Sequence, residues 1–248
     1  MESPQNVRSG PQPRWWDRYM DPHSLEMLDD PAVPAAVKSR AMNGLDGYNR
    51  RSGAYWLFAQ TTASLLPASI RRPRILELGA GRGELSARVA EILARRGTPA
   101  KVVASDISED FVSAMAGNAR LRSLGIEAAA IDATATGLPG DSFDLAVFTQ
   151  ALHHLSPPQV ARLLSEGTRV ARQLLIIDGW RHPLLLLASP AFWLLGNYQS
   201  FHDGIISLRR MYSAEAIRDL GRQCPSQVNL DINFLPPGYL KCVAWRAD

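Results

Sequence analysis

Apolar residues recur along the chain in two alternating rhythms. Nearly continuous apolar runs at 74–78, 102–105, 126–131, 143–148 and 174–177 read as strands buried on both faces, the habit of parallel sheets. Between them the spacing changes to three and four, with Leu85, Val89, Ile92 and Leu93, then Phe111 and Met115, then Val160, Leu163 and Leu164. Each set makes one apolar helix face. Gly97 and Gly125 suit the ends of such units, Ser108 a helix cap, and Ser156-Pro157 a cap followed by a first-turn proline. Strands alternating with helices through short links demand right-handed crossovers and a parallel sheet covered on both faces. The chain closes differently. Residues 227–234 and 239–245 read as strands joined by Leu235-Pro236-Pro237-Gly238, too short for a crossover, so they predict an antiparallel hairpin at a sheet edge.

Ahead of the first strand the pattern is helical over 35–66, with Leu45, Tyr48, Trp56, Leu57, Thr61 and Leu65 on one predicted buried face. Gly44, Gly47 and Gly53 are expected to break it into at least two helices. Residues 14–70 thus read as an N-terminal helical cap, and 71–248 as the main α/β domain. The cluster Trp15-Trp16-Asp17-Arg18-Tyr19 reads as an anchor onto the core. Residues 1–13, polar and proline-rich, read as a disordered lead-in without the apolar centre of a signal peptide.

Composition narrows the class. A chain of 248 residues, 46% hydrophobic and 21% charged, is ordinary for a globular protein with one large core. A net charge of +3 gives no footprint for nucleic acid. The longest apolar stretch, 183–195, is interrupted by Ser189 and Pro190 and is too short to span a bilayer, so no stable membrane insertion is expected. Cys224 and Cys242 lack metal-ligand spacing, which suggests a reduced, cytoplasmic protein without a metal. Oligomeric state leaves no trace in the pattern.

The chemistry gathers at Ile75-Leu76-Glu77-Leu78-Gly79-Ala80-Gly81-Arg82-Gly83-Glu84-Leu85. Glycines at alternate positions let the backbone turn sharply beside a ligand, and a helix N-terminus follows, where N–H groups favour negative charge. An acid, Asp106, closes the second strand, and Leu138-Pro139-Gly140-Asp141-Ser142-Phe143-Asp144 leads through the fourth strand to Leu152-His153-His154-Leu155. In this order the features resemble the class I S-adenosylmethionine-dependent methyltransferases, small-molecule branch, over residues 71–248. The loop matches that family's E/D-x-G-x-G-x-G rather than the G-x-G-x-x-G of dinucleotide enzymes.

The resemblance implies a Rossmann-like, seven-stranded, mostly parallel sheet and S-adenosyl-L-methionine as cofactor. It implies that Gly79, Ala80 and Gly81 line the methionine and ribose, and that Glu77 supports the amino group. Asp106, followed by Ile107, would meet the ribose hydroxyls, Asp132 with Ala133 the adenine, and Gln150 the methionine side. Arg50 is a candidate partner for the cofactor carboxylate by charge and position. Asp106 and Asp132 also admit a helix-capping role; Asp144 suits a turn, and Asp178, at the carboxyl edge of the sheet, suits a structural role as well as a site role.

Methyl transfer is a displacement that depends mainly on alignment. A hydroxyl acceptor also gains from a base, which makes His153 and His154 the candidates, with one of the two expected to face the cleft. The pair also admits a purely shaping role. An insert at about 180–210, carrying Leu184 to Leu187, Phe192, Trp193, Leu194 and Tyr198, is expected to cover a small, hydrophobic or aromatic acceptor. O-methylation is the favoured reading. A dinucleotide-dependent oxidoreductase and a non-catalytic S-adenosylmethionine-binding domain are the alternatives.

Overall fold

A computed structural model describes residues 20, 26–27, 30, 32–188, 190–195, 197–224 and 226–247. The lead-in at 1–13 and the aromatic cluster at 15–19 lie outside the described residues.

Strands β1 (Arg74–Leu78), β2 (Lys101–Asp106), β3 (Glu127–Ala130), β4 (Leu145–Thr149), β5 (Leu174–Gly179), β6 (Val228–Leu235) and β7 (Tyr239–Arg246) form one sheet, ordered β3-β2-β1-β4-β5-β7-β6. The first five are parallel, and β7 runs antiparallel between β5 and β6. The predicted hairpin is therefore present, with β6 outermost. Small boundary shifts have local causes. Phe143 makes only an isolated bridge to Ala171, so β4 begins later than expected. β5 runs on through Asp178 and Gly179 because β7 pairs with both.

Alternate strand residues feed two cores. Ile75, Leu145, Val147, Leu175 and Ile177 pack with Phe58, Leu85 and Val89 on one face. Leu76, Ala146, Phe148, Leu174 and Ile176 pack with Val160, Leu163, Ile217 and Leu220 on the other. Helices α1 (Ala35–Arg51), α2 (Ala54–Ser64), α3 (Glu84–Arg95), α4 (Glu109–Gly117), α5 (Ala119–Ser123), α6 (Pro157–Val170), α7 (Pro190–Leu195), α8 (Tyr198–Arg210) and α9 (Ala214–Arg222) complete the layers. α6 starts as the sequence predicts, with a Ser156/Gln159 capping box and Pro157 in the first turn. Ser108 occupies the cap position of α4, but its side chain makes no capping bond.

The cap helices depart from expectation in two ways. α1 runs unbroken through Gly44 and Gly47, and the break falls at Gly53, where φ is +77°. Gly44 instead permits close approach: a Cβ there would lie 2.2 Å from Asn197 Oδ1. Asn197 caps α8 and donates from Nδ2 to Arg40 O of α1 at 2.8 Å. In α2 the buried stripe is Ala54, Phe58, Ala59, Thr62 and Ala63, while Trp56 faces solvent. Small side chains let α2 lie close to α3, so the larger residues one step round the helix point outward.

Candidate active site

The carboxyl ends of β1 to β5 share one edge of the sheet, where ligands of doubly wound folds bind. After β1, Gly79 and Gly83 adopt φ of +64° and +77°, and a Cβ on Gly83 would come within 2.7 Å of Leu121 Cδ1. Side chains are excluded there both by conformation and by space. Ala80 N–H donates to Ser105 O at 2.8 Å and Gly81 N–H to Asp106 Oδ2 at 2.9 Å, locking the loop to the end of β2. Ser108 N–H takes the other oxygen of Asp106 at 3.0 Å. A carboxylate accepts about four hydrogen bonds, so Asp106 keeps capacity for a ligand. Ile107 beside it is exposed. Asp132 is turned into a local loop, accepting from Thr134 N–H at 2.7 Å and its hydroxyl at 2.8 Å, next to a half-buried Ala133.

Glu77 lies behind this loop. Its buried carboxylate accepts from the Ser86 hydroxyl at the start of α3 and faces Leu85, Val89 and Thr62. It braces the turn from within. Burial pushes its carboxyl up to about 7, opposed by the Ser86 hydrogen bonds. Between the ordinary carboxyl range and about 7 the folded protein therefore holds a proton that the unfolded chain has released. Stability falls as pH rises through that window, and the whole penalty is present above it. Glu77→Gln should match the parent protein near pH ~4.5 and exceed it by up to ~3 kcal/mol near pH ~8 in denaturant titrations of the ligand-free protein. Parallel pH profiles for the two proteins would remove the buried charge as the cause.

Arg50 has a partner within the chain. It is 57% exposed at its side chain and pairs with Glu84 at 3.7 Å. The loop's own Arg82 reaches α1, meeting Asn43 Oδ1 at 2.6 Å and Asp46 Oδ2 at 3.0 Å, and Tyr55 donates to Asp46 at 2.6 Å. These arginines clamp the cap helix over the glycine loop.

A cavity of about 180 Å³ opens beside the loop, past the ends of β4 and β5. Its lining includes Tyr48, Gln150, His153, His154, Asp178 and Tyr239. The expected residues Gln150, His153 and His154 are brought together here; Glu77, Asp106, Asp132 and Arg50 do not line it. Gln150 holds φ of +53° and exchanges amide hydrogen bonds with Asn49 of α1, at 2.7 and 3.1 Å. Tyr48 and Tyr239 hydrogen-bond each other, and burial pushes both hydroxyls up, so they stay neutral.

His153 sits between carboxylates. Its Nδ1 lies 2.9 Å from Asp178 Oδ2, its backbone N–H donates to the same oxygen at 3.0 Å, and its Nε2 is 3.5 Å from Glu26 Oε1. Asp178 is itself fixed by Gly179 N–H at 2.9 Å. His154 Nε2 approaches the other Glu26 oxygen at 3.8 Å, so both imidazoles line the cavity, their centroids 4.3 Å apart. The expectation that only one would face it fails because both rings converge on Glu26.

The insert also differs. Residues Pro183–Ala188 form a 3₁₀ helix ahead of α7 and α8. Trp193 and Leu194 are 63% and 77% exposed, and Leu184, Leu187 and Tyr198 also point outward; the side chain of Phe192 lies outside the described residues. The insert still covers the cavity, but through Leu185 and the α8 residues Ser200, Asp203, Ser207 and Leu208, joined by Leu45 and Met211. Glu26, Asp203 and Tyr239 line the cavity and Asn49 backs Gln150, and sequence reading misses all four. Asn49, Asp203 and Tyr239 are placed by α1, α8 and β7 and Glu26 by the segment ahead of α1, and only His202-Asp203 stands out locally as a pair.

A glycine loop tied to an acid closing β2, on this strand order and with a histidine-lined cavity alongside, is the architecture shared by S-adenosylmethionine-dependent methyltransferases. Residues 75–173 match a family described as a methyltransferase domain. No curated protein matches the sequence. Among solved structures, a SAM-dependent methyltransferase from Aquifex aeolicus is 19% identical, with a TM-score of 0.50, over 69% of this chain and 81% of that one. The plantazolicin methyltransferase BpumL, solved with SAH, is 12% identical with a TM-score of 0.67, over 90% and 93%. The CurJ carbon methyltransferase is 15% identical with a TM-score of 0.52, over 75% and 51%. Among the described residues no helix is long and apolar enough to cross a membrane.

Proposed function

We propose that the chain methylates a hydroxyl group on a small acceptor seated in the cavity beside the glycine loop, with His153 as the base. The observation that carries this reading is the His153–Asp178 contact of 2.9 Å. A carboxylate on Nδ1 favours the tautomer whose Nε2 can accept a proton, and it stabilises the imidazolium that results. Glu26 on the far side adds to that stabilisation. Gln150 lines the cavity and is held in place by Asn49.

S-adenosylmethionine fits the strand-end edge: glycines leave room for a close backbone approach, Asp106 retains acceptor capacity, and Ile107 offers an apolar surface for adenine. Bound there, the cofactor supplies an electrophilic methyl on a sulfonium. The protein's part is to hold the acceptor oxygen in line, exclude water with α1 and α8, and receive the proton at His153 Nε2. The volume suits a group about the size of a benzene ring. Apolar walls from Leu45, Leu208 and Met211 support a compact hydrocarbon body, in place of the exposed aromatics of the insert.

The test is incubation with cofactor carrying an isotopically labelled methyl group, followed by mass spectrometry of small-molecule fractions. A labelled methyl ether is the expected product. Label appearing only on carbon, or cofactor binding without any transfer, overturns the reading.

A further inference from the structure

The cavity carries more carboxylates than proton transfer uses. Asp178 orients His153, but Asp203 lies across the space on α8 and is only 5% exposed. Its Oδ1 accepts from Met27 N–H at 2.9 Å and meets His202 Nδ1 at 2.9 Å. Its Oδ2 is buried and has no hydrogen-bond partner among the described residues. One turn along α8, Ser207 donates its hydroxyl to Glu26 Oε1 at 2.9 Å, placing a second buried carboxylate on the same wall. Neither lysine nor arginine lines the cavity among the described residues. The titratable groups facing this wall are His153 and His154 at Glu26 and the half-exposed His202 at Asp203.

A buried carboxylate oxygen without a donor is costly, and a ligand that donates to it relieves that cost. We infer that the Asp203–Glu26 wall is a subsite for a cationic nitrogen, an ammonium or guanidinium, carried by the acceptor. Asp203 Oδ2 takes one N–H of that group and Glu26 balances its charge. The hydrocarbon body lies against Leu45, Leu208 and Met211, with the hydroxyl toward His153. This inference rests on the reading that the cavity holds the methyl acceptor, and it adds what that acceptor carries.

Calorimetry on the whole chain, saturated with S-adenosylhomocysteine, tests it with three probes of one shape: 2-phenylethylammonium, 2-phenylethylguanidinium and 2-phenylethanol. A cationic probe should bind about tenfold or more tighter than the alcohol. Asp203→Asn, which keeps an acceptor for Met27 N–H, should reduce that ratio below about threefold with S-adenosylhomocysteine affinity unchanged. Glu26→Gln is read by the same ratio, should Asp203→Asn fold poorly. Equal affinities for all three probes overturn the subsite while leaving the transferase reading intact. Failure of S-adenosylhomocysteine itself to bind overturns both. Glu26, His153 and His154 hold candidate ligand atoms within 4.8 Å of one another, so zinc is titrated alone. One equivalent bound tightly, with loss of the cationic probes, would assign the wall to a metal and overturn the proposal.

Discussion

Asp106→Ala is expected to weaken S-adenosylhomocysteine binding by about 30- to 100-fold in calorimetry. Asp106 closes β2, is nearly buried, and receives one backbone N–H on each oxygen, Gly81 at 2.9 Å and Ser108 at 3.0 Å. Those bonds orient the carboxylate and hold the glycine loop against β2. Two further charge-assisted hydrogen bonds to ribose hydroxyls would be worth ~2–3 kcal/mol together, which sets the expected loss. The alanine also frees Gly81 N–H, which adds loop movement to the loss. Asp106→Asn separates the contributions: it retains an acceptor for Gly81 but loses the charge, and should bind with intermediate affinity. Unchanged affinity in the alanine variant would remove Asp106 from the cofactor site.

The elements that could be read from sequence are those whose information is local. β1, β4 and β5 are continuous apolar runs because both faces of the sheet are covered, and each is found within a few residues of its expected span. The glycine loop is legible because a positive φ and a close approach demand glycine at particular offsets. What stayed hidden depends on helices meeting across long stretches of chain. Met27 and Asp203 are hydrogen-bonded although 176 residues apart, and α1 meets α8 where Gly44 lies against Asn197. Gly44 reads as a helix breaker in sequence, whereas its function is contact. The same limit explains Arg50: a cation near the loop can as well serve a ligand, and only the fold, by bringing the end of α1 near the start of α3, hands it to Glu84. Trp193 and Leu194 mislead in the other direction. Apolar residues in a short helix suggest burial, but which face meets the protein is decided by α8, whose polar side chains take the cavity.

His153→Ala should reduce the turnover of a hydroxyl acceptor by about 10²- to 10⁴-fold, with the affinity for S-adenosylhomocysteine unchanged. The imidazole is held at three points: Nδ1 and the backbone N–H on Asp178, and Nε2 near Glu26. Such fixation aligns a base, and it also means that the alanine removes a packed ring, so kcat alone would not identify the role. Three readouts do. An acid limb in the pH–rate profile of the parent protein, caused by protonation of the base, should vanish in His153→Ala. Asp178→Asn, which can present an N–H to Nδ1 and so favour the other tautomer, should lower kcat strongly while changing KM little. His154→Ala should stay within about fivefold of the parent, because that ring is more exposed and its Nε2 lies 3.8 Å from Glu26, farther than His153 Nδ1 lies from Asp178. Near-parent rates across pH for both histidine variants would sink the proton-transfer role and leave alignment as the whole of the protein's contribution to the methyl transfer.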